Sequence, residues 1–281
     1  MQDFPSEKHQ SENLTDTKAP TSQTEILPAK RVRKPRFPKL TRTQSLHELV
    51  PLIAASSSMI SVTIHKEAYF MMSLHAHLYH HEIIGWMAGK LTDGSLEIES
   101  AYPVKEIDHE NGRINVEMDI DSAVNVRSEI EERGLNIVGW YHSHPTFDPD
   151  PSRLDIDNQL SYQKASESMF IGCIITPYLS TSKIEGILSL FNVQVNNEQL
   201  KRVGHHPAFS IRYSYLQTPL SQDAIKRALK LIQTYKHLNK SINPSRVWKR
   251  GITYGQKLRL LLEKFELSPE QINDIYKAFI D

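Results

Sequence analysis

Gly139-Trp140-Tyr141-His142-Ser143-His144-Pro145, followed by Ser152-Arg153-Leu154-Asp155, is the stretch from which both fold and chemistry can be read. Leu135 to Tyr141 is apolar and reads as a buried strand. Two imidazoles two residues apart in extended backbone project from the same side, so His142 and His144 can reach one ion. A loop containing Pro145, Pro149 and Pro151 then leads to a helix predicted from Asp155 to about Ala165. A carboxylate at that helix start completes a set of three and leaves a fourth position for water. A structural zinc site is more usually closed by four protein ligands with thiolates. Cys173 is the one cysteine, so the spacing favours a catalytic metal. Taken alone, the His142/His144 pair also fits two histidines satisfied at a strand end.

Outward from this stretch, strand and helix signals alternate. Ile60, Val62 and Ile64 alternate with Ser61 and Thr63, the pattern of a half-buried strand with order starting near Ser57. Between His65 and His80 a segment without Gly or Pro carries Ala68, Met71, Met72, Leu74, Ala76 and Leu78, and predicts a helix. The chain then switches to a buried strand at Ile83-Ile84-Gly85-Trp86-Met87-Ala88-Gly89. Ser95–Val104, Ile114–Met118, Met169–Thr176 and Gly186–Val195 read as further strands. Asp121-Ser122 offers an N-cap for a helix that ends at Arg133-Gly134. The expected class is α/β or α+β, a mixed sheet flanked by helices.

Beyond Pro219 the pattern is helical. Ser221 can cap a helix bearing Ile225, Leu229, Ile232 and Tyr235; a second helix carries Leu258, Leu261, Leu262 and Phe265. Ser268-Pro269-Glu270-Gln271 is a capping box opening a last helix through Ile272, Ile275 and Phe279. These apolar faces pack either on the chain's own core or on a partner's helices. Met1 to about Ile53 is polar and lacks sustained periodicity, so it reads as disordered. The expected organisation is a tail over residues 1–56, a sheet domain over 57–200 and a helical extension over 201–281.

Composition excludes several classes. Lys+Arg and Asp+Glu both number 33, so no global field draws the chain to nucleic acid or anionic membrane. Local attraction can arise at Lys30, Arg31, Arg33, Lys34, Arg36, Lys39 and Arg42, a basic run without acids that fits nuclear import, nucleic-acid contact or a solvated linker. A single cysteine excludes an intramolecular disulfide framework and a Cys-based zinc cluster. Neither a secretory signal nor a membrane span is evident, and the expected location is nuclear, cytoplasmic or both.

His142-Ser143-His144-Pro145 with Ser152 and Asp155 at this spacing, and Glu82 in Glu82-Ile83-Ile84-Gly85, match the JAMM (MPN-plus) metalloprotease signature. The chain resembles that family over roughly residues 57–195. Gly139-Trp140-Tyr141 together with Asp155-Ile156-Asp157-Asn158-Gln159 and Tyr162-Gln163 is similar in particular to the branch containing a histone deubiquitinase with Myb-like, SWIRM and MPN domains and an MPN-domain-containing relative. The resemblance implies an MPN domain holding one zinc ion on His142, His144 and Asp155. It implies Glu82 as general base and Ser152 as hydrogen-bond donor to the oxyanion. The implied activity is hydrolysis of the isopeptide bond between ubiquitin, or a ubiquitin-like protein, and a target lysine. The alternative is a non-catalytic MPN scaffold that assembles through its C-terminal helices. No pattern for Myb-like or SWIRM modules is present, which leaves a histone target open.

Other candidates read more plainly. His75, His77, His80 and His81 fit a solvated helix face better than a second metal site, since no acid or cysteine accompanies them at ligand spacing. Asp148 and Asp150 read as residues that cap and solvate the loop, while Asp157 is open between that role and supporting a ligand imidazole. Cys173, inside Phe170-Ile171-Gly172-Cys173-Ile174-Ile175, reads as core.

Overall fold

The computed structural model describes residues 47–55, 60–107, 116–166, 168–179, 184 and 186–281. The basic run between Lys30 and Arg42 lies outside them. The strands are β1 (Ile53–Ala54), β2 (Ser61–His65), β3 (Ile84–Thr92), β4 (Ser95–Val104), β5 (Asn136–Ser143), β6 (Ile171–Thr176), β7 (Ile187–Val193), β8 (Ala208–Ile211), β9 (Tyr213–Leu216), β10 (Val247–Lys249) and β11 (Ile252–Thr253). The helices are α1 (Lys66–His77), α2 (Ile120–Glu132), α3 (Arg153–Ala165), α4 (Asn197–Val203), α5 (Gln222–Tyr235), α6 (Tyr254–Lys264) and α7 (Pro269–Ile280).

Among the described residues, nine strands form one mixed sheet in the order β1-β8-β7-β6-β5-β3-β4-β2-β9. Its middle strand, β5, runs antiparallel to β3 and parallel to β6. Covered on both faces, β5 is buried from Val138 to Ser143, which explains its unbroken apolar run. Trp140 packs with Ile156 and Leu160 of α3, whereas Tyr141 joins the cluster that contains α1. The sheet takes its edge strand β9, and β8 beside β1, from beyond residue 200.

Helix α1 is enclosed on every side. Phe70, Met71, Met72 and Leu74 are buried, each contributing roughly 1.5–3 kcal/mol. They share a cluster with Ile225, Leu258, Leu261, Leu262, Ile275 and Phe279, so the apolar stripes of α5, α6 and α7 are spent on the chain's own core. This corrects the solvated-face reading for two of the four histidines, His75 and His77 on α1, while His80 and His81 follow the end of the helix and are half-buried. A helix packed by neighbours along its length has no fully wet face, and His75 and His77 are fully buried. The His75 ring bridges Tyr141 Oη at 2.9 Å and Tyr235 Oη at 2.8 Å, and Tyr235 donates to Glu106 Oε2 at 2.9 Å. That order fixes the ring: the Tyr141 hydroxyl donates to Nδ1, and Nε2–H donates to Tyr235.

Several boundaries differ from the sequence reading. The N-cap of α2 is Asp119, whose side chain accepts from Ser122 N, ahead of the expected Asp121-Ser122. Gly134 does follow the helix, at φ 70°. Of the strand expected at Ile114–Met118, residues 114 and 115 fall outside the described set, and the remainder forms a single bridge, Glu106 to Met118. Ser221 and Ser268 cap α5 and α7 as the sequence predicts. Among the described residues, no helix is long and apolar enough to cross a membrane.

Candidate metal centre

The ladder around β5 assembles the site. Ile84 of β3 pairs with His142, and beyond that pair Ser143 N donates to Ile83 O at 3.0 Å while Ile83 N donates to Ser143 Oγ at 3.1 Å. Antiparallel continuation therefore carries Glu82, two residues before the pair, alongside His144. On the other side His144 N donates to Ile175 O at 2.9 Å. Asp155 comes from the first turn of α3, which starts two residues before the expected Asp155 because Ser152 is its N-cap. The capping box is reciprocal: Asp155 N donates to Ser152 Oγ at 3.2 Å, and Ser152 N donates to Asp155 Oδ2 at 2.7 Å.

His142 Nε2 lies 3.1 Å from His144 Nε2 and 3.3 Å from Asp155 Oδ1, and His144 Nε2 lies 3.6 Å from Asp155 Oδ2. Two ligand atoms each 2.0–2.1 Å from a tetrahedral zinc stand about 3.3 Å apart, so this donor set fits that ion. His144 Nδ1–H donates to the Asp148 carbonyl at 2.7 Å, which leaves the Nε2 lone pair directed at the centre. The rings are clamped: Trp140 stacks on His142 with centroids 4.7 Å apart, and Phe147 on His144 at 4.3 Å. Trp140 is itself fixed by its indole N–H to Gln159 Oε1 at 2.7 Å, and Gln159 donates in turn to Phe170 O and Gln163 Oε1.

Electrostatics divide the two carboxylates. Burial pushes the Glu82 carboxyl well above the usual range, and the nearby Asp155 charge pushes it further. Burial acts on Asp155 in the same direction, but the charges and hydrogen bonds of His142 and His144 outweigh it and hold that carboxyl well below its usual range. Burial lowers His144, as a neutral ligand requires.

The Ser152 hydroxyl is 2.7 Å from Asp155 Oδ2, to which it donates. Its single proton is thus directed at the metal-site carboxylate. Asp148 contributes its backbone carbonyl rather than its side chain, Asp150 Oδ1 accepts from Leu52 N at 3.2 Å, and Asp157 is exposed. Cys173 is buried, with its thiol pushed far upward by burial, and sits in the core.

Residues 48–52, read from sequence as part of a disordered tail, instead form a strap over the site loop. Leu49 bridges Ser152, Val50 N donates to Pro151 O at 2.8 Å, and Arg153 N donates to Glu48 O at 3.2 Å. Val50 is buried and Leu52 packs against the same cluster as Trp140 and Ile156. The overlooked signal is Leu49-Val50 and Leu52-Ile53, an apolar group diluted by its polar surroundings.

Residues 57–168 match the family described as JAB1/Mov34/MPN/PAD-1 ubiquitin protease, and this stretch of the chain is an MPN domain. Among individual relatives, the chain is similar to the mouse (Mus musculus) protein named "Deubiquitinase MYSM1", 30% identical over 215 residues that make up 72% of this chain and 25% of that protein. It is 38% identical to the MYSM1 histone deubiquitinase of Branchiostoma floridae over 131 residues, 45% of this chain and 16% of that one. A mouse "MPN domain-containing protein" is 28% identical over 216 residues, 72% of this chain and 42% of the relative. The chain thus spans a quarter or less of the two MYSM1 relatives.

Proposed function

We propose that this chain is a zinc-dependent isopeptidase that releases ubiquitin or a ubiquitin-like protein from a target lysine. The observation that carries the reading is the convergence of His142 Nε2, His144 Nε2 and an Asp155 oxygen within 4.8 Å of one another, beside the buried Glu82. His142, His144 and Asp155 would hold one zinc ion, whose chemistry is to lower the pKa of a water to about 7 and polarise the scissile carbonyl.

The chain's own groups supply the proton traffic. Glu82, held upward by burial, takes a proton from the attacking water and returns it to the departing lysine amine, so no net proton is gained or lost. Asp155 remains ionised as a ligand. Ser152 keeps Asp155 oriented in the resting site and turns its O–H toward the oxyanion as the tetrahedral intermediate forms. Residues 57–200 carry the chemistry in this reading, and the helices beyond residue 201 support it from behind α1. The relative named as a histone deubiquitinase makes a ubiquitin–histone conjugate one target to try, and a nuclear location follows from the same likeness.

The test is metal analysis of the full chain with cleavage of an isopeptide-linked ubiquitin dimer and of a ubiquitin–histone conjugate. One zinc per chain and cleavage of either substrate are expected, both lost in His142→Ala. Full zinc content in His142→Ala would overturn the ligand set. Zinc-loaded wild type that cuts neither substrate would point to the scaffold reading.

A further inference from the structure

Two grooves flank the 116–118 segment, and Val116 lines both. One, about 900 Å³, lies between α2 and α3 and presents Trp86, Met118, Ile120, Val124 and Tyr162. The other, about 660 Å³, is walled by α5, α2 and the end of β4, and Glu82 is among its lining residues. An isopeptide has two arms, the tag's C-terminal strand and the target's lysine with its flanking chain. Two grooves that share Val116, one of them lined by the proposed base, match that need.

The α5-side groove has a definite charge. Of its three acids, Glu82 is buried, Glu106 accepts the Tyr235 hydroxyl at 2.9 Å, and Glu129 accepts from Arg133 at 3.3 Å. Arg227 is committed as well, to Glu67 at 2.6 Å, Ser100 at 2.7 Å and the Ala101 carbonyl at 3.0 Å. Lys105 and Lys230 are the lining charges that stand exposed, and neither side chain makes an ion pair or hydrogen bond among the described residues. Among the described residues the exposed, unpaired charges of the rim are therefore cationic, over an interior of Leu231, Val126, Tyr102 and Tyr235.

We propose that this groove seats the lysine-bearing segment of the conjugated target and selects acidic residues flanking that lysine, with Lys105 and Lys230 reading the charge. The inference rests on the isopeptidase reading for the word target, while the groove's preference for an acidic peptide stands apart from turnover. The apolar groove between α2 and α3 is left for the folded tag.

The test uses the full chain and a fluorescein-labelled, unconjugated peptide with one lysine between acidic flanks, beside a neutral counterpart with amides in place of the carboxylates. Anisotropy at low salt should give at least about tenfold tighter binding of the acidic peptide, an advantage that shrinks as salt is raised. The double change Lys105→Glu/Lys230→Glu should abolish the advantage, whereas Lys201→Glu/Lys226→Glu, exposed lysines outside the groove, should keep it. Equal binding of the two peptides by wild type, or an advantage that survives the Lys105/Lys230 reversal, overturns the proposal. Because this readout needs no cleavage, a chain that binds acidic peptide and cuts nothing refutes the isopeptidase reading alone. With ubiquitin-conjugated versions of the peptides, the ratio of kcat/KM values should follow the binding ratio.

Discussion

His75→Phe should destabilise the protein strongly at neutral pH and much less in mild acid. Phenylalanine keeps the edge-to-face contacts with Tyr141 and Tyr235 but removes both ring nitrogens. Tyr141 then has a buried hydroxyl without its acceptor, at about 1–3 kcal/mol, and Tyr235 loses one of two bonds, at about 0.5–1.5 kcal/mol, so about 2–4 kcal/mol is expected at pH 7.5. Burial lowers His75 from 6.5 to about 3. Its folded pKa is depressed, so between those values the unfolded chain binds the extra proton and wild-type stability falls with falling pH. At about 1.36 kcal/mol per pH unit, wild type loses about 2 kcal/mol from this group on going to pH 5, and the variant has no such group to titrate. The mutational penalty should therefore shrink to about 0–2 kcal/mol at pH 5. Urea unfolding of wild type and variant at both pH values measures it, since every other titrating group is common to both and cancels in the difference. A penalty identical at pH 5 and 7.5 would refute a neutral, desolvated His75.

Ser152→Ala should cost about 1 kcal/mol through the lost cap, seen as a lower Tm, while turnover falls about 10²–10³-fold and zinc is retained. In Gly139→Ala the new Cβ would lie 2.3 Å from the Ile171 carbonyl, a backbone atom that no rotamer change can move. A loss of about 1–3 kcal/mol with weakened zinc retention is expected in thermal melts and metal analysis, because β5 must shift and carries His142. Asp155→Asn keeps an oxygen donor but loses its charge, so a chelator titration should find zinc held more weakly than in wild type yet more tightly than in His144→Ala.

The sheet and its helices were legible wherever the period was clean. The run from Leu135 to Tyr141 and the capping box at Ser268 needed no tertiary information. The grouping of His142, His144 and Asp155 was legible from spacing because a strand end and a helix start are rigid enough to aim side chains. What escaped depended on contacts distant in sequence. The fate of His75 is decided by Tyr235, 160 residues away, and the strap at Leu49-Val50 gains its order from Pro151 and Ser152. Strands β8 and β9 are four residues each and hold their places through pairing with β7 and β2. Even the double duty of Ser152, as helix cap and as donor to the Asp155 carboxylate, is visible only once α3 is seen to begin at Arg153.

The most direct test of the central claim is Glu82→Gln, measured for zinc content and for steady-state cleavage of an isopeptide-linked ubiquitin substrate beside wild type. Glutamine keeps the shape of the side chain but cannot accept a proton. The account predicts one zinc per chain in both proteins, little change in KM, and a fall in kcat of about two to four orders of magnitude. Loss of zinc from Glu82→Gln would make Glu82 a ligand, and undiminished kcat would remove it from the reaction; either result contradicts the account.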